Sequence, residues 1–181
     1  MEMTISLAVQ GVQNSATILG MNPTAELYDY ATAVLASRDF FDRSTSALEE
    51  SDSQFRPAEG MMTAAQQVAH AAQTIEWFLD GATQPEGFDL RFEEHGRALA
   101  EVRSLKEARH RLDNAYLRAI DFLRGKSADE LARPLPPGPI MGGRPLFEII
   151  GAMVEHTAHH RGALAVYTRL LGKVPPMPYG G

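Results

Sequence analysis

The segment EHTAHHRG, residues 155–162, holds three of the six histidines in this chain. On a helix, His156 and His160 lie one turn apart and project from the same side. At about 100° per residue, five apolar residues fall on the same arc as these two histidines; they are Ile149, Met153, Leu164, Tyr167 and Leu171. His159 falls outside that arc. The pattern therefore predicts a helix with two imidazoles in its apolar stripe and a third near solvent.

Two histidines in an apolar stripe have two explanations. Each imidazole has a donor and an acceptor to satisfy, and each could bond a hydroxyl or a carbonyl of the core. Alternatively, two imidazoles four residues apart form a two-point clamp for a metal ion. Thr157 follows His156, so the motif is not the HExxH of zinc peptidases. A metal site would need a third ligand from elsewhere in the chain.

The composition is that of an ordinary globular domain. The 181 residues are 44% hydrophobic and 22% charged, with a net charge of −6. The absence of cysteine excludes disulfides, thiolate ligands and a cysteine nucleophile, and it fits a cytoplasmic protein. Basic residues concentrate between positions 91 and 133, but acidic residues are interleaved with them. This pattern is typical of a solvated helix face, and we predict no nucleic-acid partner.

The N-terminal residues show neither the basic region nor the apolar core of a signal peptide. No stretch has the length of a membrane span, so no membrane partner is predicted. The first helix signal comes after Met21, where Pro23 and Thr24 suit a helix start. We therefore expect residues 1–20 to form a loosely ordered extension and residues 21–181 to form one domain.

Apolar periodicity and capping residues predict four long helices. Thr63 and Gln66 form a capping-box pattern, Gly81, Gly125 and Gly172 suit helix ends, and Pro145 suits a first helical turn. The predicted helices span about residues 24–50, 63–80, 93–124 and 145–171. No convincing strand is present. The sequence therefore predicts an all-α fold, a four-helix bundle.

The remaining histidines lie on the second and third predicted helices. His70 is at the margin of an apolar stripe, where a half-buried histidine bonded to a neighbour is the ordinary explanation. Bundles also build metal sites from side chains on facing helices, and His70 would complete such a site with His156 and His160. His95 and His110 lie among charged residues, and we expect both to face water.

Two segments together resemble the DinB-like family of metal-binding four-helix bundles, which includes bacillithiol- and mycothiol-dependent enzymes. They are TAAQQVAHAAQTIEWFLDG, with its central histidine, and HTAHHRG, followed by a Leu-Gly-Lys-Val-Pro-Pro ending. The segment MGGRPLFEI, which leads into the fourth predicted helix, is also similar to that family. The resemblance spans roughly residues 24–178. Relatives often carry glutamine after the HRG, where this chain has Ala163. That departure affects the residues around the metal-binding histidines more than the histidines themselves.

The resemblance implies both a topology and a ligand set. The bundle would run up-down-down-up, with long connections between helices 2 and 3 and between helices 3 and 4, often as a homodimer. His70, His156 and His160 would hold one divalent metal ion. Three neutral imidazoles leave a coordination position open for water or substrate. Nitrogen ligands suit zinc, nickel, iron or copper, and the sequence does not choose among them.

Three functional hypotheses follow, and the sequence favours the first. It is a metal-dependent enzyme that transfers a low-molecular-weight thiol to an electrophile, or catalyses a related isomerase or hydrolase reaction. Trp77, Tyr167 and Tyr179 would then be walls of the substrate pocket, and the catalytic residues are unassigned. The second is a metal-binding stress-response or small-molecule-binding bundle without turnover, because no clear general base is present. The third is a helical interaction module without metal.

Overall fold

The computed structural model describes residues 23–180, with side chains from residue 30 onward. The predicted extension, residues 1–20, lies outside the described residues. Within them the chain is all-α, with six helices and no strand, which confirms the predicted fold class. The helices are α1 Pro23–Thr45, α2 Ala64–Thr83, α3 Phe92–Ala100, α4 Leu105–Arg124, α5 Ala128–Leu131 and α6 Glu148–Leu170, with a 3-10 turn at Glu50–Asp52.

Four of these helices, α1, α2, α4 and α6, are long and pack around one core. α1 and α2 each contact both α4 and α6. Apolar side chains from all four are buried between them; these include Val34, Phe41, Val68, Ile75, Leu112, Ile120, Ile149 and Leu164. None of the described helices has the length and apolarity that a bilayer crossing demands.

The end of α1 comes earlier than predicted. The helix stops at Thr45 and not near residue 50. The guanidinium of Arg109, on α4, donates hydrogen bonds to the hydroxyl and the carbonyl oxygen of Thr45, at 3.0 and 2.6 Å. A helix-end carbonyl needs such a partner, and Arg109 supplies it from another helix.

The start of α2 is confirmed, but its predicted end is wrong. The Thr63 hydroxyl accepts from the backbone N–H of Gln66, whose side chain accepts from the Thr63 N–H in return. The helix does not stop before Gly81; it continues to Thr83. A Cβ on Gly81 would overlap the ring of Phe88. Glycine is present there because a ring packs on the helix, and it does not form a left-handed helix end.

The single long third helix was a wrong prediction. The chain forms α3, leaves the helical path at residues 102–104, and then forms α4. The Ser104 hydroxyl accepts from the Glu107 N–H at 3.1 Å, which caps a new helix. α3 packs against α2. The break therefore allows α3 to lie beside the helix that carries His70.

α6 begins later than predicted and ends close to the predicted place. Pro145 pairs with Pro134 in an isolated bridge, and the Leu146 N–H bonds to the Arg133 carbonyl at 2.8 Å. These bonds hold the residues before Glu148 in a non-helical path. At the other end Gly172 has φ +75°, the left-handed conformation predicted for a helix-terminating glycine.

Candidate metal centre

Three histidines from two helices meet at one point in the bundle. His70 comes from α2, and His156 and His160 come from α6. One ring nitrogen of each lies within 4.8 Å of the other two. His160 is buried, with 5% of its surface exposed, and the other two are half-buried. His159 is exposed, as predicted. The structure thus brings together the three histidines that the sequence singled out.

The closest pair of ring nitrogens is on α6. The Nε2 atoms of His156 and His160 are 3.0 Å apart, and the Thr74 hydroxyl oxygen lies 3.1 Å from His156 Nε2. A proton shared between the two nitrogens would make an ordinary hydrogen bond. Tetrahedral zinc, with Zn–N distances of about 2.0–2.1 Å, holds its nitrogens about 3.3 Å apart. The observed separation fits such a site after a movement of a few tenths of an ångström.

The tautomer of His160 follows from a chain of hydrogen bonds. The Met62 carbonyl can only accept, so the Tyr167 hydroxyl donates to it, at 2.9 Å. The Tyr167 oxygen accepts from the Gln67 amide nitrogen at 3.3 Å, which turns the Gln67 oxygen toward His160 Nδ1. His160 Nδ1 must therefore carry the hydrogen, and Nε2 is left with a lone pair.

A second glutamine, Gln73, fixes the tautomer of His70. The Gln73 amide nitrogen donates to the backbone carbonyl of His95 at 3.2 Å, and its oxygen faces His70 Nδ1 at 3.2 Å. His70 Nδ1 is therefore the donor, and its Nε2 carries the lone pair. Hydrogen bonds to the distal ring nitrogen are the usual way in which proteins orient imidazole ligands. The donor set and its supporting bonds fit a divalent cation.

Burial favours the neutral form of His156 and His160. Desolvation, followed by the neighbouring histidines, lowers the pKa of His156 to about 4 and that of His160 to about 3. At neutral pH both rings are uncharged, and their lone pairs are available to a cation. Since the three clustered side chains are all imidazoles, a bound ion would keep its full positive charge.

A cavity of about 360 Å³ adjoins the cluster, and both His70 and His156 line it. Trp77 lines it too, as predicted. Tyr167 does not; it bonds to Gln67, beneath the cluster. Tyr179 is 64% exposed and packs edge-on against Phe40, so the prediction that it forms a pocket wall was wrong.

His95 is the residue that sequence reasoning missed. It was expected to face water, but it lines the same cavity and is half-buried. Its Nε2 lies 3.1 Å from a carboxylate oxygen of Asp89. Hydrogen bonds from Arg91 hold the pKa of Asp89 well below its usual range, so this oxygen only accepts. His95 Nε2 therefore donates, and Nδ1 is the proton-accepting nitrogen of the neutral ring.

These features define a class: an all-α bundle whose facing helices bring three imidazoles to one point. A family model for the DinB superfamily matches residues 33–164, and the chain belongs to that superfamily. The match begins within α1, ends within α6 and includes all three clustered histidines. It confirms the resemblance drawn from the sequence. A search of curated proteins gave no match.

Proposed function

We propose that this protein binds one divalent metal ion, zinc, nickel or iron, through His70, His156 and His160, and that it is a metal-dependent enzyme. The observation that carries the proposal is the pair of glutamine contacts that leave a lone pair on Nε2 of His70 and of His160. A histidine that served only the core would need no such common tautomer. The neutral state of the buried rings supports the same conclusion.

We also propose that the four long helices run up-down-down-up. α1 would run parallel to α6 and antiparallel to α4, and α2 would run parallel to α4 and antiparallel to α6. Two contacts between each pair of helices support these directions. They are Ser37–Thr157 and Phe40–Arg161 for α1 and α6, and Ser37–Tyr116 and Thr45–Arg109 for α1 and α4. For α2 and α4 they are Glu76–Arg111 and Asp80–Arg118, and for α2 and α6 they are Gln67–His160 and Thr74–His156. α3 and α5 would then lie within the two long connections.

The proposed reaction is transfer of a low-molecular-weight thiol to an electrophile, or a related isomerase or hydrolase reaction. When bound, the ion supplies a positive charge that lowers the pKa of a thiol or water, or polarises a carbonyl. As the thiol sulfur bonds to the electrophilic carbon, the bond from that carbon to its leaving group breaks, and the leaving group keeps the electron pair. His95 Nδ1 takes the thiol proton and returns it to the leaving group. The Asp89 carboxylate stabilises the protonated ring through Nε2–H, as an acidic residue does in a catalytic triad.

A second candidate is a metal-binding stress-response or small-molecule-binding bundle without turnover. One observation favours it: the cavity lining, within the described residues, includes no Asp or Glu side chain. Proton transfer in the cavity would then depend on His95. Measurement of turnover separates the two candidates.

The test is a screen of the metal-loaded protein with bacillithiol, mycothiol and glutathione, each against a panel of electrophiles. The enzyme proposal expects joint loss of thiol and electrophile, followed by mass spectrometry, that disappears in the His160→Ala variant. His159→Ala is the matched control, because His159 lies on the same helix but is exposed. Thiol loss that persists in His160→Ala, or no loss with any of the three thiols, would contradict thiol transfer.

We further propose that the protein is a homodimer. Exposed apolar side chains support this: Val166 and Leu170 near the end of α6 are 55% and 59% exposed, and Val174 is 81% exposed. Light scattering at micromolar concentration should give twice the mass of one chain. The mass of a single chain would contradict the proposal.

A further inference from the structure

The cavity beside the histidine cluster has an aromatic wall. Its apolar lining consists of Met62, Trp77, Phe78, Phe92 and Leu99. The Trp77 ring centroid lies 5.2 Å from that of Phe78 and 6.2 Å from that of Phe92. Flat apolar rings of this kind form contacts with a planar ligand at little cost in side-chain entropy. The wall therefore favours a flat, apolar ligand.

Apart from the ring nitrogens of the histidines, the polar side chains of the lining already have partners. Gln73 bonds to His70 and to the His95 carbonyl, and the Thr74 hydroxyl lies against His156. The indole N–H of Trp77 donates to the Asp89 carbonyl at 2.8 Å. Within the described residues, no Lys, Arg, Asp or Glu side chain lines the cavity. A charged group on the apolar part of a ligand would lose its hydration here without compensation.

The volume of about 360 Å³ lies at the lower end of the range of about 300–1,000 Å³ for small-molecule sites. We propose that this cavity binds a neutral compound with one or two aromatic rings, which packs on Trp77 and Phe92 and turns a single donor atom toward the three histidines. The aromatic part of this inference stands on the cavity alone. Only the donor atom rests on the proposed metal function.

The cavity has a built-in reporter. Trp77 is the only tryptophan in the chain, so its fluorescence reports on a single site. The titration uses three probes on metal-loaded and on metal-free protein: 4-phenylimidazole, imidazole and toluene. The first has a ring and a donor nitrogen, the second has the donor without the phenyl ring, and the third has the ring without the donor.

We expect 4-phenylimidazole to bind the zinc-loaded protein about tenfold or more tightly than imidazole, because burial of the phenyl ring adds to the donor contact. Toluene should change Trp77 fluorescence saturably with or without zinc. Equal affinities for 4-phenylimidazole and imidazole, or no saturable response to toluene, would overturn the inference.

Phe92 offers a variant that spares the fold, since it is 56% exposed. Phe92→Ala should weaken toluene binding severalfold. Leu90→Ala is the matched control, because Leu90 is a neighbouring exposed apolar residue, 47% exposed, outside the lining. Equal toluene affinities in Phe92→Ala and Leu90→Ala would contradict the proposed ring contact.

Aromatic binding and metal binding can fail independently of each other in these titrations. If the protein takes up no metal but toluene binds and Phe92→Ala weakens it, the aromatic cavity stands and the metal function fails. If metal binds and toluene does not, the metal function stands and the aromatic inference is overturned.

Discussion

The Nε2 atoms of His156 and His160 lie 3.0 Å apart, one turn from each other on α6. Gln67 holds the hydrogen of His160 on Nδ1, so His160 presents a lone pair to His156. Either His156 donates a proton into this gap, or both nitrogens face a cation. Metal binding would then move the His156 hydrogen to Nδ1. The function of the cluster depends on whether a proton or a cation occupies the space between these two nitrogens.

Replacement of Gln67 by leucine should weaken metal binding without abolishing it. The Gln67→Leu variant loses the acceptor that holds the His160 tautomer, and such partners typically contribute about 10–100-fold to metal affinity. Competition with a chromophoric zinc chelator measures the change. Gln84→Leu, at an exposed position after α2, is the control and should bind as the parent does. Equal affinities in the two variants would contradict the role given to Gln67.

The metal-free protein should lose stability as the pH falls. The folded-state pKa values of His156 and His160, about 4 and about 3, lie below the ordinary 6.5. Below about pH 6.5 the unfolded chain binds protons at these positions that the folded protein does not. The free energy of unfolding therefore keeps the full contribution of these two neutral histidines above that pH. It loses this contribution as the pH falls toward their folded-state pKa values.

Urea unfolding of metal-free protein at about pH 7 and about pH 5 tests this linkage. His160→Gln removes one of the two groups, and its stability should fall less between the two pH values than that of the parent. His110→Gln should match the parent, because His110 is exposed and is not among the groups that shift the pKa of His156 or His160. If the unfolding free energy of His160→Gln falls as much between the two pH values as that of the parent, the buried imidazoles do not govern the pH dependence of stability.

The two glycines Gly81 and Gly151 should respond oppositely to alanine. In Gly81→Ala the new methyl group overlaps the Phe88 ring, whose centroid is 4.7 Å from that of Trp77. We expect a loss of about 1–3 kcal/mol and a shift in Trp77 emission. Gly151, inside α6, has open space around it, and Gly151→Ala should gain about 0.5–1 kcal/mol. Equal unfolding free energies for the two variants would contradict the packing described for Gly81.

The sequence predicted the elements that depend on local pattern. The spacing of His156 and His160 fixes their common side of a helix, and the capping box at Thr63 fixes a helix start. The tautomer of His160 depends on Gln67, which is 93 positions away in the chain, and no local pattern contains that contact. That the three histidines hold a metal ion stays a prediction.

The errors also have physical causes. Apolar spacing runs on across residues 102–104, so periodicity could not detect the cap that Ser104 forms for a new helix. With α3 and α4 joined, His95 was placed among solvent-facing charges and not in a cavity. Gly81 looked like a helix end because glycine is common there, whereas the structure uses its missing side chain to admit Phe88.

Replacement of His95 should affect turnover and leave metal binding intact. His95→Gln keeps a polar side chain but cannot accept the proton as imidazole does, and loss of a general base typically costs about 100-fold or more in kcat. Asp89→Asn should lower kcat less, because it removes only the carboxylate that stabilises the protonated ring. His110→Gln, at an exposed position on α4, is the control. Parent-like kcat in His95→Gln would remove His95 from the mechanism.

The metal content of the protein tests the proposed three-histidine site most directly. Untagged protein, purified without chelators or nickel resin, is measured by elemental mass spectrometry beside a His156→Ala/His160→Ala double variant and a His159→Ala control. We expect about one metal ion per chain in the parent and in the control, and none in the double variant. A parent that stays empty after incubation with zinc, nickel, iron and manganese would contradict this expectation. The two α6 histidines would then be hydrogen-bonding residues of the core.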